Sequence, residues 1–260
     1  MNMRIIKALQ DFKIGIVLLA AATTVAAQTP KMRVLVIVTS ADHFSDGHPT
    51  GLWLEEFAAP YQTLIAGGAH VAVFSPKGGQ TPIDPRSNPT EAQATEWQDA
   101  TRVLATAKPL TSEIRVGDYD AIFLPGGHGP MFDLANDPRV AQIVTNFVRE
   151  GKIVAAICHG PAALAGAKQI NGHPFVEGKR LTGFTDAEER ARGLDKLVPF
   201  SLEQRLTRLG ANFQEGKNFA EHTEQDGLLI TGQNPQSSAA VGKLLLQALQ
   251  SQSTASSVNH

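Results

Sequence analysis

The chain has 260 residues, of which 42% are hydrophobic and 18% charged, and its formal net charge is -2. This composition is typical of a globular protein and excludes the disordered, collagen-like and wholly membrane-embedded classes. The chain contains no block of lysine and arginine interleaved with aromatic residues, so we expect no nucleic-acid partner.

The first 27 residues have the order of a secretory signal. A basic segment, MNMRIIKALQDFK, precedes the apolar run IGIVLLAAATTVAA, which ends in small residues with Val25-Ala26-Ala27 as the processing point. The apolar run, residues 14–27, is shorter than the roughly 20 residues that cross a bilayer. We therefore expect export to the periplasm, removal of residues 1–27, and no stable membrane association afterwards. The alternative is a membrane anchor formed by the uncleaved segment.

Short apolar segments that end in Gly, Pro or Ser recur along the rest of the chain and predict buried strands. They cover residues 33–40, 70–76, 119–127, 152–158, 179–184 and 227–232. Helix-like segments lie between them, at 54–68, 137–151, 160–169, 202–211 and 235–250. Strands that alternate with helices predict an α/β fold with a mostly parallel sheet and helices on both faces.

The domain boundaries follow from the same pattern. The segment 137–151 has the clearest helix ends, with Asp137 as N-cap, Pro138 at the first helical position and Gly151 past the end. A polar loop rich in Pro and Gly spans residues 77–92. We expect one domain over residues 32–250 and a flexible tail over residues 251–260, whose polar sequence gives it little to bury.

Ligands of open α/β sheets bind beyond the carboxyl ends of the strands. Three loops at such ends contain reactive side chains: TSADHFSDGHPTG at 39–51, PGGHGP at 125–130 and CHGP at 158–161. We therefore expect the functional site where these loops meet.

Cys158 is the only cysteine of the chain, which excludes an internal disulfide. It stands at a strand end between Ala156 and Gly160, before an Ala-rich helical segment, as in a nucleophile elbow. A helix N-terminus and a neighbouring imidazolium each lower a thiol pKa, so we expect a reactive thiolate. A buried, inert cysteine is the alternative.

Other candidates surround this thiol in the sequence. His159 follows it directly and can act as a base. The amides of Gly126, Gly127 and His159 are expected to form an oxyanion hole. Two pairs of acids are available, Glu55 with Glu56 and Glu188 with Glu189, and spacing alone selects neither member of a pair.

These residues resemble the ThiJ/PfpI superfamily, which includes glutathione-independent glyoxalases (glyoxalase III), holding chaperones and a deglycase. The resemblance covers residues 32–250 and rests on TGLWLEEFAAPY, SPKGG, IDPRS, DYDAIFLPGGHGPMFDL, AAICHGPAAL, GKRLTGFTDAEE and LLITGQNPQSS. It implies a flavodoxin-like three-layer sandwich of the class I glutamine amidotransferase-like kind.

The resemblance also implies roles. Cys158 is the nucleophile and His159 its triad neighbour, Glu56 is the acid near the thiol, and Glu189 is the third triad member with Glu188 as a near alternative. Gly126 and Gly127 match the oxyanion-side glycines. The His-Pro-Glu of the amidotransferases is missing, because His48-Pro49 and His173-Pro174 are followed by Thr and Phe. This argues against glutamine hydrolysis.

The leading hypothesis is a cysteine-dependent lyase that converts methylglyoxal or glyoxal to D-lactate or glycolate without glutathione. The alternatives are a protein deglycase, a small-amide or peptide hydrolase, and a holding chaperone or cysteine oxidation sensor. We expect a small aldehyde substrate, no cofactor and no metal site, and we leave open whether the chain forms a homodimer. His43, His48, His128 and His222 receive no role from the sequence.

Overall fold

The central sheet follows from the apolar segments of the sequence. The computed structural model describes residues 32–111 and 114–258. The strands of this part of the chain are β1 (Arg33–Ile37), β2 (His70–Ser75), β3 (Lys108–Pro109), β4 (Ala121–Leu124), β5 (Ile153–Ile157), β6 (Arg180–Leu181), β7 (Asn212–Phe213), β8 (Thr223–Asp226) and β9 (Leu229–Gly232). Seven of them form one sheet in the order β3-β2-β1-β4-β5-β9-β8, in which only the β8–β9 pair is antiparallel.

Helices cover both faces of this sheet. They are α1 (Leu54–Ala66), α2 (Glu91–Glu96), α3 (Gln98–Leu104), α4 (Pro138–Arg149), α5 (Asp186–Arg192), α6 (Leu202–Arg208) and α7 (Ser238–Val258). In β1, Val34 and Val36 pack into a cluster with α1 and α7, while Leu35 and Ile37 pack into a second cluster with α4. Successive side chains of a strand point to opposite faces, so a continuous apolar run is needed where both faces are buried. The predicted three-layer α/β fold is confirmed.

The ends of α4 are those that the sequence predicts. The Asp137 side chain accepts a hydrogen bond from the Arg139 N–H at 2.8 Å, Pro138 is the first helical residue, and Gly151 follows the helix with φ +63°. A cap of this kind satisfies one of the free N–H groups at the helix start. Glycine adopts positive φ without a Cβ clash, which stops the helix at its end.

The segment 160–169 is not the helix that we expected. Only Gly160–Leu164 is helical, as a short 3₁₀ turn. Ala162, Ala163 and Leu164 are fully buried in the cluster beneath α4. The small side chains of Ala162 and Ala163 allow this turn to pack closely against α4. These tertiary contacts override the helix propensity of alanine.

A further expectation, for the segment 179–184, is wrong over most of its length. Of the predicted strand 179–184, only Arg180–Leu181 pairs, and it pairs with Asn212–Phe213 in a separate small sheet. The helix α7 continues to Val258, into the segment that the sequence predicts to be a flexible tail. Within this helix the Ser251 hydroxyl donates to the Gln247 carbonyl at 2.9 Å.

The expected signal segment, residues 1–27, lies outside the described residues. Within the part of the chain that the structure describes, no helix combines the length and the apolar character that crossing a membrane requires.

Candidate active site

Cys158 occupies a sharp turn directly after β5. Its φ of +57° is in the left-handed region, which a residue with a side chain rarely adopts. The turn is fixed from both sides, because the Cys158 N–H donates to the Gly232 carbonyl and the Cys158 carbonyl accepts from the Phe184 N–H, each at 2.9 Å. A Cβ on Gly160 would lie 1.9 Å from the Leu124 carbonyl oxygen, so only glycine fits there. The elbow predicted from the sequence is therefore present.

Cys158, His159 and Glu189 form a hydrogen-bonded row. The Cys158 Sγ is 3.3 Å from the His159 Nδ1, and the His159 Nε2 is 2.5 Å from the Glu189 Oε1. All three side chains are buried. A carboxylate on one imidazole nitrogen leaves the other as a base for the thiol, which is the arrangement of a catalytic triad.

The structure distinguishes the two acids of the pair at the start of α5. Glu188 Oε2 forms a capping box with Thr185, and its Oε1 accepts from the Phe219 N–H at 2.7 Å and from the Asn234 Nδ2 at 2.8 Å. Glu188 therefore stabilises the fold by joining the start of α5 to the segments that contain Phe219 and Asn234. Glu189 contacts the histidine, which selects it as the third member of the row.

Glu189 is held as a carboxylate. Burial alone would raise its pKa, but the charges and hydrogen bonds of His159 and His128 hold that pKa well below its usual range. The negative charge is available to stabilise an imidazolium at His159 during proton transfer.

Glu56 reaches the thiol from α1. Its Oε2 accepts a hydrogen bond from the Gly126 N–H at 3.0 Å, its Oε1 has no hydrogen-bond partner among the described residues, and the carboxyl lies against Cys158. Complete burial raises the pKa of Glu56 well above its usual value. The neutral acid fits this place best, because its O–H group can donate to the sulfur.

The expectation of a ready thiolate is wrong for the resting site. Burial raises the pKa of Cys158 well above its ordinary value, and ionisation of Glu56 would raise it further. The helix that was expected to lower it is only the short turn Gly160–Leu164, which has too little length for a strong dipole. The thiol therefore depends on His159 to take its proton as it reacts.

The two predicted oxyanion glycines have different roles. The Gly126 N–H is occupied by Glu56, so it is not free to bind a substrate oxygen, contrary to the sequence-based expectation. The Gly127 N–H lies near both the Cys158 thiol and the Glu56 carboxyl, and it lowers the pKa of each group. No described hydrogen bond occupies the His159 N–H. The amides of Gly127 and His159 therefore remain as donors beside the sulfur.

A second histidine, which the sequence analysis left without a role, completes the site. The His128 Nε2 is 3.3 Å from the Glu189 Oε2, and its ring centre is 4.1 Å from that of His159. The Arg86 guanidinium is 3.1 Å from the His128 Nδ1, and Arg86 is itself paired with Asp84. Burial, together with the charge of His159, lowers the pKa of His128 to about 4, so this imidazole is neutral. The loop 77–92, which contains Arg86, therefore contributes directly to the site.

His128, His159 and Glu189 place ligand atoms within 4.8 Å of one another, a composition that metal ions also use. The hydrogen bonds oppose such a role. Arginine can only donate, so the His128 Nδ1 is the acceptor and its Nε2 carries a proton. The His159 Nδ1 accepts a hydrogen bond from the thiol, so the N–H of this ring is at Nε2 and points to Glu189. Both imidazoles present N–H groups to the carboxylate, where a metal would need lone pairs.

A cavity of about 270 Å³ opens onto the sulfur. Its apolar lining consists of Trp53, Phe184, Leu194, Phe219 and Pro235, and its polar lining includes Arg86, His128, His159 and Arg192. This volume corresponds to roughly nine water molecules at about 30 Å³ each, which suits a small organic substrate. A larger groove of about 520 Å³ lies beside the residues that precede β5 and β9, at the other end of the strands, and no cysteine or histidine lines it.

The remaining histidines that the sequence left unassigned stay away from the thiol. His43 and His48 are exposed and pair with Asp42 and Asp46, each at 2.8 Å. His222 lies 3.3 Å from Glu224. Among the described residues, the structure therefore brings Cys158, His159, Glu189 and Glu56 together, and the fold adds His128 and Arg86.

Comparison with known proteins places this architecture in a family. Residues 33–248 match the model of the DJ-1/PfpI family, and the chain belongs to that family. It is 29% identical over 242 residues to the glutathione-independent glyoxalase HSP31 of Saccharomyces cerevisiae, a match that covers 85% of this chain and 98% of the yeast protein.

Solved structures agree with this placement. Glyoxalase III of Candida albicans superposes with a TM-score of 0.74 at 28% identity, covering 84% of this chain and 97% of that one. The Rapid Encystment Protein 24 kDa of Francisella tularensis superposes with a TM-score of 0.78 at 34% identity, covering 84% of this chain and 99% of that one. The resemblance stated from the sequence motifs is confirmed.

Proposed function

We propose that the protein is a glutathione-independent glyoxalase that converts methylglyoxal and glyoxal to D-lactate and glycolate. One observation carries this proposal: the Cys158 sulfur stands on a strained elbow, 3.3 Å from an imidazole that Glu189 orients, and faces a small cavity. The names of the yeast and Candida relatives support the same reaction class.

The first step is addition of the thiol to the aldehyde carbon, C1. His159 takes the thiol proton at Nδ1, the sulfur forms a bond to C1, and the carbonyl electron pair moves to the aldehyde oxygen. The imidazolium returns its proton to that oxygen, which gives a neutral hemithioacetal. Glu189 lowers the free energy of the transient imidazolium, because its carboxylate lies at the other nitrogen.

The second step moves a proton from C1 to C2. His159 removes the C1 proton, and the electron pair forms a C1–C2 double bond while the C2 carbonyl becomes an enediolate oxygen. The amides of Gly127 and His159 can stabilise this negative charge. The neutral Glu56 can supply a proton to the sulfur or to a substrate oxygen, because its raised pKa keeps it protonated.

The last step releases the product. The imidazolium returns its proton to C2, the C1 hydroxyl proton passes to the C2 oxygen, and a thioester of the 2-hydroxy acid remains on Cys158. Water attacks the thioester carbonyl, the carbon–sulfur bond breaks, and the thiol is restored. In sum, one dicarbonyl and one water are converted to one 2-hydroxy acid. These three reaction steps therefore require no oxidant, reductant or glutathione.

The proposal is tested by product analysis on purified protein dialysed into glutathione-free buffer. We expect consumption of methylglyoxal to be matched by an equal amount of D-lactate. Absence of consumption, or consumption without lactate, would refute the lyase. Release of amino groups from a glycated peptide, with no lactate formed from free methylglyoxal, would favour the deglycase instead.

We further propose that the protein acts outside the cytoplasm. The order of basic residues, apolar residues and small residues at positions 1–27 supports export with cleavage. Mass spectrometry of the protein recovered from a periplasmic fraction tests this, and the expected mature chain begins after Ala27. Recovery of the full-length chain in the membrane fraction would favour the anchor.

A further inference from the structure

Two arginines line the active-site cavity, but their surroundings differ. The Arg86 Nε lies 2.9 Å from the Asp84 Oδ1, and the Arg86 Nη2 lies 2.5 Å from the Asp84 Oδ2, so its charge is neutralised. Arg192 has no acidic partner within 4 Å among the described residues. The cavity therefore contains one uncompensated cation, and it lies at an exposed position where a ligand can reach it.

The guanidinium of Arg192 rests on an aromatic ring. Its central carbon lies 4.7 Å from the centre of the Phe219 ring, which also lines the cavity. Stacking of this kind orients the planar guanidinium and leaves its N–H groups free to bind a carboxylate through two hydrogen bonds. A flexible surface arginine would lose more side-chain entropy on binding the same group.

The backbone of Phe219 is held in an unusual conformation that supports this platform. Its φ is +55°, and Phe219 and Cys158 are the residues other than glycine with positive φ in the described chain. The Phe219 N–H donates to the buried Glu188 Oε1 at 2.7 Å. Glu188, Glu189 and Arg192 all belong to α5, so one helix supports the platform, orients His159 and provides the cation.

We infer that Arg192 and Phe219 form an anion subsite of the cavity, whose ligand is the carboxylate of a small 2-hydroxy acid. The choice of a 2-hydroxy acid rests on the proposed function, whose substrate is neutral and whose product is a carboxylate. The subsite accepts the carboxylate as it leaves the sulfur, and the same contact makes the product a competitive inhibitor.

The test compares three ligands by calorimetry on the purified full chain: D-lactate, glycolate and the neutral analogue lactamide. Arg192→Gln removes the cation, and Arg190→Gln is the matched control, because Arg190 lies exposed on the same helix and does not line the cavity. We expect D-lactate and glycolate to bind the wild type and R190Q with the same affinity, and R192Q at least about fivefold more weakly. Lactamide should bind all three proteins with equal affinity, and this affinity should be weaker than that of the wild type for D-lactate.

Each contrary outcome is specific. Equal affinity of R192Q and R190Q for D-lactate, equal binding of D-lactate and lactamide by the wild type, or no detectable D-lactate binding would overturn the subsite. These measurements require no turnover, so a protein that binds D-lactate through Arg192 but consumes no methylglyoxal would refute the proposed reaction and leave the subsite standing. In a protein that is active, the inhibition constant of D-lactate should rise in R192Q by the same factor.

Discussion

Glu189 lies 2.5 Å from the Nε2 of His159, while its neighbour in sequence, Glu188, points the other way. This relationship separates a chemical role from an architectural one within two adjacent residues. Glu189 acts on the proton of the imidazole, whereas Glu188 accepts hydrogen bonds from Thr185 at the start of its own helix and from Phe219 and Asn234 in two other segments.

Substitution of the two acids should therefore give opposite results. Glu189→Gln removes the charge that stabilises the imidazolium, and we expect kcat for D-lactate formation to fall by about 10²- to 10⁴-fold with a small change in Tm. Glu188→Gln replaces an acceptor that faces the Thr185 N–H with a donor, at a cost of about 1–3 kcal/mol of stability. Steady-state kinetics and thermal denaturation of both variants measure this contrast, and a larger kcat loss in E188Q than in E189Q would contradict it.

His128 should make the protein less stable in acid. Its pKa of about 4 in the folded protein is below the ordinary value of 6.5, so the unfolded chain binds the proton more readily between these pH values. Stability should fall as the pH decreases from 6.5 to about 4, by up to ~3 kcal/mol from this group.

The matching experiment is denaturant unfolding at pH 7 and pH 4.5 for the wild type and His128→Gln. Glutamine does not titrate, so the loss of stability between the two pH values should be smaller in H128Q. An equal loss in both proteins would show that His128 does not contribute to the acid sensitivity.

Glu56 should control the acidity of the thiol. Glu56→Gln keeps a hydrogen-bonding side chain of the same shape that cannot ionise, whereas in the wild type ionisation of Glu56 in alkaline solution raises the pKa of Cys158. We expect the pH midpoint of Cys158 alkylation by iodoacetamide to move to lower pH in E56Q. A midpoint that stays in place or moves upward would mean that Glu56 does not bear on the sulfur.

The elbow should not tolerate a methyl group at position 160, directly after His159. A Cβ at position 160 would approach the Leu124 carbonyl oxygen to 1.9 Å, whereas a Cβ at Gly117 meets no atom within 4 Å. We expect Gly160→Ala to destabilise the protein by about 2–4 kcal/mol and Gly117→Ala to change stability by less than about 0.5 kcal/mol. Chemical denaturation of the two variants decides this, and equal stabilities would refute the close packing at the elbow.

The sequence predicted the parts of the site that are local. The apolar run of β5, Cys158, His159 and the glycine that follows lie within a few residues, and turn chemistry governs their arrangement. The choice between Glu188 and Glu189 was left open, because adjacent residues on a short helix point in directions that only the surrounding fold determines.

The parts that sequence reasoning missed depend on long-range contacts. His128 meets Glu189 across 61 positions and Arg86 across 42, and Glu56 occupies the Gly126 amide across 70. One signal for His128 was available: it directly follows Gly126 and Gly127 at the sheet edge where the thiol was placed. The prediction of a resting thiolate was wrong for a related reason. The burial of the sulfur and the position of Glu56 beside it depend on long-range packing, which the local turn sequence does not show.

The central claim is that the Cys158 sulfur performs the chemistry on the aldehyde. The most direct measurement is the initial rate of D-lactate formation from methylglyoxal by the wild type, Cys158→Ala and Arg190→Gln in the same glutathione-free buffer. We expect R190Q to match the wild type and C158A, correctly folded by circular dichroism, to form no D-lactate above the uncatalysed rate. D-lactate formation by C158A at the wild-type rate would contradict the account.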